Sequence, residues 1–382
     1  RSPRERRYYP SRQGRTTPIS PRPFQLKIPD SALDELRERL ARTRFPDEPP
    51  LAPWSTGTSL SCLKELVAYW KEGFDWRRSE AALNAFRQYT VSIGGMELHF
   101  IHEPGKRPDA VPLLLSHGWP GSVLEFVRLI PLLTERFTVV APSLPGYTLS
   151  FRPGQKRFAV EEMADLFAEL MSLLGYPRFA AQGGDWGAFV SSVLGMNHPE
   201  RLIGIHLNLL AVRRDPKIPA SNPEEAAYLA QLKHFLREET GYQWIQGTRP
   251  QTLAYALTDS PAGLAAWIAE KFRSWSDHEP SREDLLANVS LYWFTGAIGS
   301  SFWPYYARMH SPWPIPEGRT VDVPTGYAEF PKEILRPPRS LAARTYTDIR
   351  RWTRMPQGGH FAALEQPEAL AGEILSFFSG LT

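Results

Sequence analysis

Gly183-Gly184-Asp185-Trp186-Gly187-Ala188 lies directly after the apolar run Phe179–Gln182 and before a helical pattern of Phe189, Val190, Val193 and Leu194. Small residues on both sides of one polar side chain suit a sharp strand-to-helix turn. Such a turn lifts that side chain above a sheet edge, beside the free backbone N–H groups of the helix start. A Ser at this corner would attack acyl groups. Asp changes the reaction, because a carboxylate attacking a saturated carbon gives an ester that water can cleave, whereas a Ser alkoxide would give an inert ether. Asp185 is therefore expected to attack an alkyl carbon. The competing reading is an Asp that merely caps the helix after a tight glycine turn.

Two further segments supply the rest of such a site. His117-Gly118-Trp119-Pro120-Gly121-Ser122 follows the apolar run Val111–Leu115. A Gly/Pro-rich loop at a strand end can aim backbone N–H groups at an oxyanion, and the amides of Trp119 and Trp186 are the candidates. The competing reading is a plain turn with a packed His117. Gly358-Gly359-His360-Phe361 lies near the C-terminus, and of the nine histidines only His360 sits in a Gly-rich loop before a terminal helix. The chain order nucleophile, acid, His fits this type of site. A base histidine needs a carboxylate to orient and stabilise it. Glu333 and Glu329, in the segment from Pro324 to Glu333, are the candidates, with Asp348 a third; spacing leaves the choice open. His206 lies in a strand pattern and reads as a packed or surface residue. His99 and His102 have no nearby Cys/His partners, so no metal site is expected.

These corners need strands and helices to hold them. From about residue 89, β-rich runs appear at Thr90–Ile93, Leu98–His102, Pro112–Ser116, Phe137–Ala141, Phe179–Gln182 and Ile203–Asn208, with helical stretches at 121–134 and 160–175 between the later ones. Strands alternating with helices imply parallel crossovers and a covered sheet. Residues 211–320 break the rhythm with helical, Trp- and Pro-rich sequence and read as a lid over the strand ends. Strand-like runs return at Thr320–Pro324 and Ala343–Trp352, ahead of a last helix near 366–379. Before the sheet, Leu33, Leu36 and Leu40 mark a helix capped by Asp30 or Ser31, followed by helices near 60–72 and 77–87. The expected organisation is a flexible basic tail (1–22), an N-terminal segment (23–88), a core (89–210 and 321–382) and the lid (211–320). The class is α/β.

Composition bounds the partners. Hydrophobic residues make up 42% and charged residues 22%, as in ordinary globular proteins, and the net charge of +3 calls for no nucleic acid. The exception to an even charge distribution is Arg1 to Arg15, which includes Arg4, Arg6, Arg7 and Arg12. Cys62 is the only cysteine, so no intrachain disulfide forms within this sequence; it falls in the pattern Leu60, Leu63, Leu66, Val67, Trp70 and reads as a buried thiol. No apolar run approaches the ~20 residues that cross a bilayer, and a cytoplasmic location is expected. Oligomeric state is open, a homodimer included.

His117–Ser122, Gly183–Ala188 and Gly358-Gly-His-Phe-Ala-Ala-Leu-Glu365 together resemble the microsomal-type epoxide hydrolases of the α/β-hydrolase superfamily. The similarity runs from about Pro23 to the C-terminus and takes in Phe24–Glu48 and the block from Phe74-Asp-Trp76 to Phe100-Ile-His102. It implies an α/β-hydrolase fold, a mostly parallel sheet flanked by helices, with a helical lid and an N-terminal meander segment. By matching motif it implies Asp185 as nucleophile, His360 as base and Glu333 as acid in Phe330-Pro-Lys-Glu-Ile-Leu335. It further implies two lid tyrosines that hydrogen-bond the epoxide oxygen, Tyr242 in Glu239–Gln246 and one of the pair Tyr305 and Tyr306, with Tyr305 favoured. The implied reaction turns a small-molecule epoxide into a vicinal diol without cofactor or metal; detoxification and biosynthesis fit equally. The membrane-bound relatives carry an apolar N-terminal anchor where this chain has arginines, so membrane attachment does not follow. The nearest rival is a haloalkane dehalogenase, which shares the fold and the Asp but not the tyrosine motifs; a catalytically silent binding module would not need the triad.

Overall fold

A computed structural model describes residues 20–381; the Arg-rich stretch Arg1–Arg15 lies outside them. Nine strands form one sheet: β1 (Arg22–Phe24), β2 (Gln88–Ile93), β3 (Met96–Glu103), β4 (Val111–Ser116), β5 (Phe137–Pro142), β6 (Phe179–Gly183), β7 (Leu202–Leu207), β8 (Thr325–Glu329) and β9 (Ile349–Arg354). Their order across the sheet is β1-β2-β3-β5-β4-β6-β7-β8-β9. The first three make an antiparallel meander, β3 meets β5 antiparallel, and every later pairing is parallel. β1 is absent from the sequence expectations, being a short edge strand with no apolar pattern.

Alternation along the parallel strands builds a core on each face. Leu114, Val140 and Ala181 pack with the helices Val160–Leu173 and Asp185–Asn197. Leu113, Leu115, Val139, Ala141 and Ala180 pack on the other side with Leu370, Ile374, Phe377 and Phe378 of the helix Pro367–Ser379. This two-sided burial explains why these strands read as continuous apolar runs.

Several local expectations shift. The stretch 121–134 is not one helix but a tight turn, Val123–Phe126, and a short helix, Ile130–Leu133, with Pro131 at its start; a proline has no N–H to continue a preceding helix. The strand expected at Thr320–Pro324 begins instead at Thr325, since Pro324 cannot donate to a ladder. The strand expected from Ala343 starts at Ile349, after the helical turn Arg339–Ala342 that follows Pro338. The third helix spans Trp76–Asn84, its start fixed by Asp75 accepting from the Arg77 amide at 3.0 Å. Cys62 is exposed: Leu63, Leu66, Val67 and Trp70 form the buried stripe of the helix Leu60–Glu72, and Cys62 falls off it.

Between β7 and β8 the chain inserts helices over the carboxyl ends of the strands, among them Pro223–Glu238, Gly241–Thr248, Pro250–Asp259, Pro261–Trp275, Arg282–Thr295 and Trp303–His310. The N-terminal helices grip this insertion. The buried Trp70 indole donates to Ser290 Oγ at 2.9 Å, Thr58 donates to the Ala266 carbonyl at 2.7 Å, and Arg39 holds both the carbonyl and the carboxylate of Asp259 at 2.9 Å. Among the described residues no helix is long and apolar enough to cross a membrane. β4 has β5 on one side and β6 on the other, so successive crossovers leave it in opposite directions. A crevice opens at such a switch point, and the pairing of Ser116 with Gly183 brings the loops after β4 and β6 side by side.

Candidate active site

Asp185 sits at the first position of its helix with φ +46°, a left-handed conformation that a side-chain-bearing residue adopts only under constraint. Two glycines make the turn feasible. A Cβ on Gly183 would strike the Gly187 carbonyl, and one on Gly187 would strike the Ser116 carbonyl, so the helix presses directly on the end of β4. The turn delivers the Asp185 carboxylate to the Trp119 amide, which donates to Oδ1 at 2.8 Å. The Trp186 amide lies in the first helical turn, where backbone N–H groups have no intrahelical acceptor.

His360 Nε2 is 3.4 Å from Asp185 Oδ2, and its Nδ1 is 2.6 Å from Glu333 Oε1. Both His360 and Glu333 are buried. Burial alone would lower the imidazole's pKa, but the Glu333 charge, with the contact to Asp185, outweighs it and holds the imidazole well above its usual range. Of the three carboxylates that the sequence left open, the structure brings only Glu333 to the ring. Glu329 accepts from the Trp352 indole at 2.9 Å, and Asp348 pairs with Arg350. The loop carrying His360 is fastened to the helical insertion: the His360 amide donates to the Trp275 carbonyl at 2.8 Å and the Gly358 amide to Asp277 at 2.9 Å. Glu365 completes the clasp by accepting from the amides of Asp277 and Gly359.

Tyr242 and Tyr305 descend from two insertion helices, Gly241–Thr248 and Trp303–His310, and both are buried. Their rings lie 5.6 Å apart, and each packs on Trp119, at 5.3 Å stacked for Tyr242 and 5.7 Å edge-on for Tyr305. Burial first, and the Asp185 charge among the further causes, raises both phenols above their ordinary pKa, so both remain protonated donors. Tyr306 points elsewhere, stacked on Trp303 and His310. Sequence reasoning missed what surrounds this pair. The Gln243 amide donates to the Tyr242 hydroxyl at 2.8 Å and is itself held by Arg308 at 3.3 Å. Trp275 and Phe302 complete an aromatic wall about Trp119. Only the aromatic richness of the insertion hinted at it.

The other buried histidines, His99, His117 and His206, are structural. Nε2 of His117 accepts from the Leu144 amide at 3.0 Å and its Nδ1 meets the Gly118 carbonyl at 3.0 Å, so a neutral ring ties down the loop. Burial lowers its pKa to about 4. His99 is buried between Ser143 and Gln88, and His206 is buried as well. Among the described residues no group of His, Cys, Asp and Glu could hold a metal ion.

Comparison with known proteins adds independent findings. Residues 21–126 match the family model "Epoxide hydrolase N terminus", and residues 111–282 match that of the alpha/beta hydrolase fold. A proposed epoxide hydrolase of Stigmatella aurantiaca is 43% identical over 377 residues, covering 94% of this chain and 85% of that protein. Epoxide hydrolase 1 of Oryctolagus cuniculus is 36% identical, covering 93% of this chain and 88% of its own. The structure of Aspergillus niger epoxide hydrolase superposes with a TM-score of 0.85 at 34% identity, covering 96% of this chain and 97% of the other.

Proposed function

The chain belongs to the epoxide hydrolases of the α/β-hydrolase superfamily, and from that membership we propose how its own residues open an epoxide to a vicinal diol. Asp185 attacks one ring carbon, forming a carbon–oxygen ester bond as the epoxide C–O bond breaks. Tyr242 and Tyr305 hold the ring oxygen and supply the proton that the developing alkoxide takes. Esterification removes the Asp185 charge and with it part of what keeps His360 protonated. His360, oriented by Glu333, then takes a proton from water, and the resulting hydroxide attacks the ester carbonyl. The Trp119 amide, with that of Trp186, stabilises the tetrahedral oxyanion, and collapse expels the diol. His360, charged at rest, first returns its proton to the tyrosinate left by ring opening. The proton it then takes from water restores its charge, and the hydroxyl proton of the tetrahedral intermediate passes to the leaving alkoxide, so the cycle closes.

The observation that carries this reading is the carboxylate of a strained Asp185 held between the Trp119 amide and His360 Nε2. A single turnover in heavy-oxygen water tests it: the new diol oxygen should come from the protein, with label retained at residue 185. Label in the first-turnover diol would mean that water attacks the ring directly, and the scheme would fall.

The helices at 223–310 act as the lid, and their aromatic wall supports a bulky aryl or alkyl epoxide as substrate. Trp244, Ile245 and Tyr255 expose apolar surface on two successive lid helices, which supports a homodimer formed through the lid; light scattering after size exclusion tests it. A cytoplasmic location completes the proposal, motivated by a sequence with a single cysteine, and cell fractionation tests it.

A further inference from the structure

A small cavity lies beside the reacting groups, lined by Asp185, His360, Ser116 and Glu125 among others, with about 20 Å³ open to a water's centre. That is room for one water, which needs two to four polar partners to stay. The cavity offers them. His360 Nε2 and the Asp185 carboxyl form one wall. Ser116 is buried, and among the described residues its hydroxyl has no partner.

Glu125 is the group left without a task in the scheme above. It follows the Trp119 loop, and its carboxyl lies against Gly121, where any Cβ would collide with it. It senses the charges of both His360 and Asp185, and the Ser122 amide donates to it. It also lines a second cavity, of about 90 Å³, whose walls include Arg128, Asp284 and Asn288. Glu125 thus stands between the two spaces.

We propose that Glu125 holds the water that hydrolyses the Asp185 ester, fixing it between His360 Nε2 and the ester carbonyl, with the second cavity as its supply from the side away from the epoxide. Burial pushes the Glu125 carboxyl up to about 8, so at neutral pH it is protonated and both donates and accepts. A water so held presents a lone pair to the carbonyl and a proton to His360, which is the orientation that the second step requires.

The proposal rests on the two-step reading, and the test separates the two. In single turnovers of styrene oxide by the full chain, Glu125→Leu should form the ester at a rate within about 2-fold of wild type and hydrolyse it about 10- to 100-fold more slowly. In steady state kcat and KM then fall together and kcat/KM is kept, a split that general destabilisation would not produce. Glu125→Gln, which keeps a donor and an acceptor, should recover hydrolysis to within about 5-fold of wild type. Glu125→Ala serves as a second variant should leucine disturb the packing. Wild-type ester hydrolysis in either apolar variant, while His360→Gln accumulates ester, overturns the role of Glu125 alone. Failure of His360→Gln to accumulate any ester overturns the two-step reading itself.

Discussion

Replacing Tyr305 with Phe removes one oxygen and keeps the ring. The ring contacts of Tyr305 with Trp186 at 4.8 Å, Trp119 at 5.7 Å and Tyr242 at 5.6 Å do not involve that oxygen. The fold should therefore hold, and the loss should fall on the chemistry. Taking one preorganised donor from a developing oxyanion slows a reaction about 10²- to 10³-fold. Tyr242 remains beside the oxygen, so the lower figure applies, about 10², or roughly 2.7 kcal/mol of transition-state stabilisation. The step affected is ring opening, not ester hydrolysis, because in the proposed scheme the hydroxyl serves the epoxide oxygen while the Trp119 and Trp186 amides serve the ester's oxyanion. Trp119 and Trp186 adjoin the reacting groups, so stopped-flow tryptophan fluorescence can follow both steps. Ester formation and kcat/KM should fall about 100-fold together, with ester hydrolysis kept within about 2-fold. Tyr306→Phe is the control, since Tyr306 stacks on Trp303 and His310 away from the site. Ester formation at the wild-type rate in Tyr305→Phe, or an equal loss in Tyr306→Phe, would refute the assignment.

Glu333→Gln should keep ester formation largely intact and slow hydrolysis by about 10³- to 10⁴-fold, because a buried carboxylate 2.6 Å from an imidazolium is worth on the order of 4 to 6 kcal/mol. Glu329→Gln should leave both steps unchanged; rapid-quench mass measurement of the ester distinguishes the two variants. Acid should destabilise the fold through three buried histidines. His99, His117 and His206 have pKa values lowered by burial from 6.5 to about 3, 4 and 4. Between about pH 4 and 6.5 the unfolded chain binds these protons and the folded one does not, so their contribution to stability falls as pH falls, by up to about 4 kcal/mol per pH unit near pH 5. About 1 kcal/mol per unit from Glu125 offsets this, because its raised pKa of about 8 gives the opposite sign. His360, with its pKa raised, adds no slope there, since it is protonated in both states below 6.5. Urea midpoints measured from pH 7 down to pH 5 check this; a flat profile would contradict the neutral burial of these rings.

What the sequence disclosed of the site follows the range of the physics involved. Asp185 was legible because its strain is local: the backbone needs glycines within two residues, so the constraint is written beside the residue that it serves. His360 was legible for the same reason, its glycine loop standing alone among the histidines. Glu333 was not separable from Glu329 by spacing, because the choice depends on where β8 ends, and Pro324 moved that strand toward the C-terminus. The family resemblance favoured Glu333, and the structure brings Glu333 to the ring at 2.6 Å. Cys62 misled because a helix stripe is narrow, and one position decides between core and solvent.

Glu125 and Gln243 show the opposite case. Each is a single polar residue in an ordinary helical context, and neither neighbour nor spacing marks it. Their placement arises only when distant segments meet, Glu125 through the loop that β4 sets against β6 and Gln243 through the approach of Arg308 from another lid helix. Such residues share a physical signature even so. Each is a polar group drawn close to the reacting atoms by a fold that gains nothing in stability from desolvating it. The unpartnered Ser116 hydroxyl bears the same mark. A protein retains a buried polar group without a protein partner where something else completes its hydrogen bonds, and beside Asp185 the water of the proposed ester hydrolysis would do so.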